Sequence, residues 1–271
     1  MAEKNHRVVK AYQNIGFLKD SDARSLRILS EYLEPQSRLS RFNIVDTIVF
    51  MGSARIIPPE QAEAELEAAK EGHGDVERAE LRLEMSHYYE AASDLAERLT
   101  SWSKELNGTE RRFIVCTGGG PGIMAAANRG ASRARGLNIG MAISIPEEQL
   151  INPYVTRDLA FQFHYFFMRK FWLVYLAKAV IFFPGGFGTL DELFELLTLL
   201  KTEKIRKHLP VVLFGKKYWD EVINFDALIK YSNVDPGDRN LVFSTDSVED
   251  AYTYLTDELT KFAMGEKGVT L

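Results

Sequence analysis

Phe113-Ile114-Val115-Cys116-Thr117-Gly118-Gly119-Gly120-Pro121-Gly122 is a short apolar run that ends in a cluster of glycines, and an alanine-rich stretch follows it to about Arg135. An apolar run of this length, stopped by glycine and followed by helical periodicity, reads as a buried strand, a tight loop and a helix. The same grammar recurs upstream, where Thr47-Ile48-Val49-Phe50-Met51 enters Gly52-Ser53-Ala54-Arg55. It recurs downstream, where Ala179-Val180-Ile181-Phe182-Phe183 enters Pro184-Gly185-Gly186-Phe187-Gly188-Thr189. Further strands are expected at residues 139–145, 159–163, 211–214 and 241–244, and helices at 165–178, 189–201, 218–231 and 248–262, the last opened by Asp246-Ser247. Repeated alternation of short apolar strands with helices predicts an α/β protein with a doubly wound, Rossmann-like parallel sheet covered on both faces.

Outward from this repeat lie two additions. Residues 1–45 read as a helical cover, with Leu26, Ile28, Leu29 and Leu33 at helical spacing. Residues 58–105, rich in Ala, Glu, Arg and Leu and broken at Gly72-His73-Gly74, read as a helical pair whose alternating charges form a solvated face. The whole chain, 1–271, is expected to be one Rossmann-like nucleotide-binding domain carrying these additions.

Composition narrows the classes of partner. A net charge of −5 gives no electrostatic drive toward a polynucleotide, and basic residues such as Arg111 and Arg112 occur only in short groups, so no nucleic acid is expected. One cysteine, Cys116, excludes an internal disulfide and a cysteine-based zinc site, and fits a reducing compartment such as the cytoplasm. Residues 1–7 are not followed by the apolar core of an export signal. The most apolar stretch, residues 171–183, is interrupted by Lys178 and closed by Pro184, short of the roughly 20 residues a membrane helix needs, so no membrane association is expected.

In such a sheet ligands bind beyond the carboxyl ends of the strands, which directs attention to the three loops. Two of them, 117–122 and 184–189, place side-chain-free residues just before a helix, where backbone N–H groups and the helix dipole favour a phosphate. Neither is a Walker loop, since Gly-x-x-x-x-Gly-Lys-Ser/Thr is absent. Gly120-Pro121-Gly122-Ile123-Met124-Ala125 fits Gly-x-Gly-x-x-Ala, yet Glu147 lies farther on than the roughly 20 residues of a dinucleotide fingerprint. Asp191, Glu192 and Glu195 follow the second loop on a helix that is apolar nearly all round, and Glu192 and Glu195, three apart, share one face of it. Carboxylates on a largely buried helix at a loop mouth predict a functional acid. The five histidines show no metal-ligand spacing, and Lys170 or Lys178 as a pyridoxal phosphate carrier finds no partner motif, so neither metal nor cofactor is expected.

Pro184-Gly185-Gly186-Phe187-Gly188-Thr189-Leu190-Asp191-Glu192 resembles the Pro-Gly-Gly-x-Gly-Thr-x-x-Glu signature of the Lonely guy family of cytokinin-activating phosphoribohydrolases, often mislabelled lysine decarboxylases. Arg169-Lys170 resembles that family's upstream Arg-Lys pair, Gly118 to Met124 its Gly-Gly-x-x-Gly-Leu/Ile-Met loop, and Gly52-Ser53 its first nucleotide loop. The chain departs from the family's Met-His-x-Arg-Lys at Phe166-Phe167-Met168-Arg169-Lys170, and it exceeds compact members by its additions. The resemblance implies Arg169 and Glu192 as the catalytic pair. It implies substrate contacts from Gly52, Ser53, Gly118, Gly119, Gly120, Gly122, Met168, Lys170, Gly185, Gly186, Gly188, Thr189 and Glu195. It further implies a nucleoside 5′-monophosphate substrate, AMP or a cytokinin-type nucleotide, hydrolysed to free base and ribose 5-phosphate by a homodimer or higher homo-oligomer. The competing expectation is a non-catalytic carrier or sensor of a nucleotide-like ligand, since fold alone does not separate the two.

Overall fold

The computed structural model describes residues 8–106, 110–144 and 150–264. Short helix α1 (Ile15–Lys19) and long helix α2 (Arg24–Arg41) precede strand β1 (Thr47–Met51). Helices α3 (Pro59–Ala68) and α4 (Val76–Glu105) follow, then β2 (Ile114–Thr117), α5 (Ile123–Arg133), β3 (Asn138–Ile143), β4 (Ala160–Phe163) and α6 (Phe166–Tyr175). The chain continues through β5 (Ala177–Phe182), α7 (Phe187–Lys201), β6 (Val211–Phe214), α8 (Lys216–Val222), α9 (Phe225–Lys230), β7 (Phe243–Thr245) and α10 (Val248–Glu258). All seven strands pair in parallel in the order β4-β3-β2-β1-β5-β6-β7. This is the expected doubly wound, Rossmann-like α/β fold.

Alternation along the central strands sorts side chains into two cores. Val49 and Met51 of β1, with Val180 and Phe182 of β5, bury against Leu39, Trp172, Leu173, Leu193 and Leu196 of α2, α6 and α7. Ile48 and Phe50, with Ala179 and Ile181, bury against Leu95 and Leu99 of α4, Ala126 and Ala127 of α5 and Leu255 of α10. Every residue of β1 and β5 is buried, as a strand covered on both faces requires. Helices α4 and α5 approach so closely that a Cβ on Gly130 would collide with the Ser93 carbonyl. At the opposite end from the glycine loops, buried Asp46 accepts from the Arg112 guanidinium at 2.6 Å and from the Phe113 amide at 2.5 Å, joining the entries of β1 and β2.

Several expected boundaries move. The 165–178 helix ends at Tyr175, and Lys178 lies inside β5, buried. The 218–231 helix is two helices, because Ile223 turns extended and the Asn224 side chain accepts from the Ala227 amide to start a new one. The break at Gly72 is real, with φ +92. Residues 1–7, Ile145 at the end of the third expected strand, and Glu147 lie outside the described residues. No described helix is long and apolar enough to cross a membrane.

Candidate active site

The strand order reverses between β1 and β5, so the loops after these strands diverge and leave a crevice at their carboxyl ends. A cavity of about 770 Å³ occupies it. Gly52 and Ser53 after β1, Gly118 after β2, Gly185, Gly186, Gly188 and Thr189 after β5, and Arg169 and Glu192 all line it.

Backbone contacts weld the three loops together. The Ser53 amide donates to the Pro184 carbonyl at 2.9 Å, and the Ser53 carbonyl accepts from the Ile123 amide at 3.1 Å. Gly122, at φ +67, is required at that crossing, since a Cβ would strike the Ser53 carbonyl. A Cβ on Gly185 would collide with Thr189, and the Tyr218 hydroxyl donates to the Gly185 carbonyl at 2.7 Å. At Gly186 and Gly188, by contrast, nothing lies within 4 Å of an added Cβ, so these two positions leave open the approach to the first turn of α7. Leu190 makes the helix's first return bond, to the Gly186 carbonyl at 3.0 Å, and the amides before it remain donors toward the cavity. Helix α7 thus begins at Phe187, two residues before the expected Thr189.

Arg169 on α6 and Glu192 on α7 meet at the cavity wall. An Arg169 Nη2 donates to Glu192 Oε1 at 2.8 Å, with only 14% and 13% of the two side chains exposed. Burial holds the Glu192 carboxyl above the usual carboxylate range, against the opposing pull of Arg169. The Arg169 Nε is buried with no hydrogen-bond partner among the described residues, and its guanidinium carbon sits 5.5 Å from the centre of the Phe166 ring.

Charges at both ends of α6 fix Arg169 in place. The Glu31 carboxylate of α2 accepts from the His164 and Tyr165 amides at 2.8 and 3.2 Å, where the helix dipole favours an anion. The Lys207 ammonium donates to the Val174 and Tyr175 carbonyls at 3.0 and 2.9 Å at the other end. The N-terminal cover is therefore part of the scaffold of the site.

Other expected contacts fall elsewhere. Lys170 donates to Asp191 at 2.6 Å and to Glu195 at 2.8 Å. Burial works to lower the Lys170 pKa, and the two carboxylates override it, holding the ammonium above its ordinary value. Glu195 is more exposed than Glu192, and the two share a small cavity with Lys170. Met168 is buried in the core on the α2 side of the sheet. Gly119, Gly120 and Gly122 do not line the cavity. Their loop instead rests on a buried amide network, in which Asn152 donates to the Gly119 and Gly120 carbonyls and to Asn128, and Thr117 donates to Asn128 at 2.7 Å. Helix α7 is less enclosed than its composition implies, with Phe194 41% exposed.

The helical insert requires a larger correction. Arg78, Leu81, Arg82 and Met85 of α4 line the cavity, so this face is a wall of the site and not merely solvated surface. Their spacing of three, one and three residues was visible in the sequence. The fold-back that brings this face over the β1 loop was not.

The family described as "Possible lysine decarboxylase" matches residues 124–255. The pyrimidine/purine nucleotide 5′-monophosphate nucleosidase of Escherichia coli (strain K12) is 32% identical over 121 residues, which cover 40% of this chain and 25% of that protein. The chain spans a quarter of the length of the curated relatives it matches. Among solved structures, an X-ray structure from a structural genomics programme aligns with 78% of this chain and 99% of its own, at 21% identity and a TM-score of 0.49. The Moco carrier protein of Chlamydomonas reinhardtii aligns with 80% of this chain and 99% of its own, at 20% identity and a TM-score of 0.48. The Pro184-to-Glu192 signature lies inside the segment matched by the family described as possible lysine decarboxylase, so the chain is similar to that family through its glycine loop and its carboxylate.

Proposed function

We propose that this protein hydrolyses the N-glycosidic bond of nucleoside 5′-monophosphates, releasing free base and ribose 5-phosphate. The observation that carries the reading is the buried Arg169–Glu192 pair at 2.8 Å, beside a glycine loop whose amides open on the same cavity. The match to the family model and the similarity to a nucleosidase support it.

In this reading the 185–189 loop and the start of α7 hold the phosphate, and Arg169 fixes a ribose or phosphate oxygen. Breaking the C1′–N bond builds positive charge on the ribose carbon, by analogy with glycoside hydrolysis, and the Glu192 carboxylate stabilises it. Water then bonds to C1′, one of its protons passes to Glu192, and the departing base takes up a proton. The exposed rings of Phe166, Phe167 and Phe194, 52%, 53% and 41% accessible on α6 and α7, support self-association beside the site.

The test is a panel of AMP, GMP, CMP, UMP and a cytokinin-type monophosphate, followed for base and ribose 5-phosphate. Equal amounts of the two products from at least one nucleotide are expected. Tight binding across the panel without base release would make the protein a carrier or sensor. In crystals soaked with AMP, phosphate density is expected at the 185–189 loop, and ordered nucleotide elsewhere with this loop empty would refute the assignment.

A further inference from the structure

The cations on the cavity wall outnumber their partners. Arg55, Arg78, Arg82 and Arg169 line the cavity. Arg169 is neutralised by Glu192 at 2.8 Å and Arg82 by Glu65 of α3 at 2.5 Å. Arg55 and Arg78 make no side-chain hydrogen bond or ion pair among the described residues, and Arg78 shares with Arg82 the field of one carboxylate, Glu65.

The position of Arg78 is electrostatically costly. It is the third residue of α4, after the cap Asp75, whose side chain accepts from the Arg78 amide at 3.2 Å, and the positive end of a helix dipole disfavours a cation there. Arg82, four residues on, adds a like charge on the same face, and the single carboxylate of Glu65 lies near both arginines. Leu81, 57% exposed, and Met85 share that face, and all four residues line the cavity. Two cations interleaved with two apolar groups, on a chain of net charge −5, match an organic anion.

We propose that Arg55 and Arg78 form a second anion subsite, which holds a phosphoryl group separate from the one on the 185–189 loop, so that the site prefers nucleotides bearing two phosphoryl groups. The proposal rests on the nucleotide reading of this cavity. It assigns the helical insert the role of selecting substrate by charge.

Calorimetric titration of the Glu192→Gln protein, expected to hold nucleotide without consuming it, tests the subsite with AMP, ADP and adenosine 3′,5′-bisphosphate. At least one doubly phosphorylated probe should bind about tenfold tighter than AMP, as new charge-assisted hydrogen bonds imply. The ADP and bisphosphate arms show whether the second group extends from the 5′ or the 3′ side. Arg55→Ala/Arg78→Ala should erase the preference and leave AMP affinity and the thermal melt unchanged. Equal affinity for all three probes in the parent overturns the proposal. So does an equal weakening of AMP and the other probes in the double variant, which would make these arginines holders of a single phosphate. If AMP is hydrolysed by the wild-type protein while no preference appears, the subsite alone fails. If no probe binds and no base is released, the nucleotide reading fails with it.

Discussion

Glu192 faces four charged groups: Arg169 and Lys170 from α6, and Asp191 and Glu195 from its own helix. Burial raises its pKa, Arg169 and Lys170 lower it, and the two neighbouring carboxylates raise it. If the reaction uses the carboxylate form, activity is present above this raised pKa and is lost as pH falls through it. The acid limb of kcat/KM therefore lies above the ordinary carboxylate range. Lys170→Met removes one lowering charge and leaves Asp191 and Glu195 unpaired beside Glu192, so the limb should move to still higher pH in a profile measured over AMP. A limb that stays in place would show that Lys170 serves only to clamp the two helices. At this scale Glu192 and Arg169 were legible through their motif, and the Glu192–Glu195 face through helical spacing, but the ion pair across to α6 was not. A spacing of three residues keeps Glu195 on the same side of the helix one turn farther from the loop, where it meets Lys170.

Elements position these residues through their ends. The loop from β5 into α7 contains three glycines with different physical requirements. Gly185 is crowded by Thr189, whereas Gly186 and Gly188 border open space. Gly186→Ala should therefore fold and melt like the parent, since φ −86 suits alanine. Its Cβ would intrude where the anion approaches, weakening phosphate or AMP binding by about tenfold through lost charge-assisted hydrogen bonds. Calorimetry beside a thermal melt checks this, and undiminished binding would move the phosphate off this loop. The strand-loop-helix alternation was legible because glycines and short apolar runs are local signals. Glu31 and Lys207 were not, because each acts on α6 from a distant segment, and a single charged residue carries no mark of the helix end it will meet.

At the scale of the molecule, reversal of strand order between β1 and β5 places the cavity, and additions outside the repeat complete it. Helix α2 anchors α6, and α4 walls the cavity, roles that depend on tertiary placement, which helical spacing alone does not mark. If the exposed rings on α6 and α7 bury against a second copy, light scattering at micromolar concentration should give twice the 30.8 kDa of one chain, and a mass of 30.8 kDa would contradict self-association. The central claim is that the Arg169–Glu192 pair in this cavity performs hydrolysis, and it is tested most directly by comparing base release from AMP by the wild-type protein and by Glu192→Gln. A first-turn acid that merely complements the dipole contributes about 0.3–1 kcal/mol of stability, whereas a positioned acid–base group contributes about 10²–10⁴ in rate. The wild-type protein should release adenine with an equal amount of ribose 5-phosphate, and Glu192→Gln should fold and bind AMP but turn over about 10²–10⁴-fold more slowly. Hydrolysis by Glu192→Gln as fast as by the wild-type protein would contradict it.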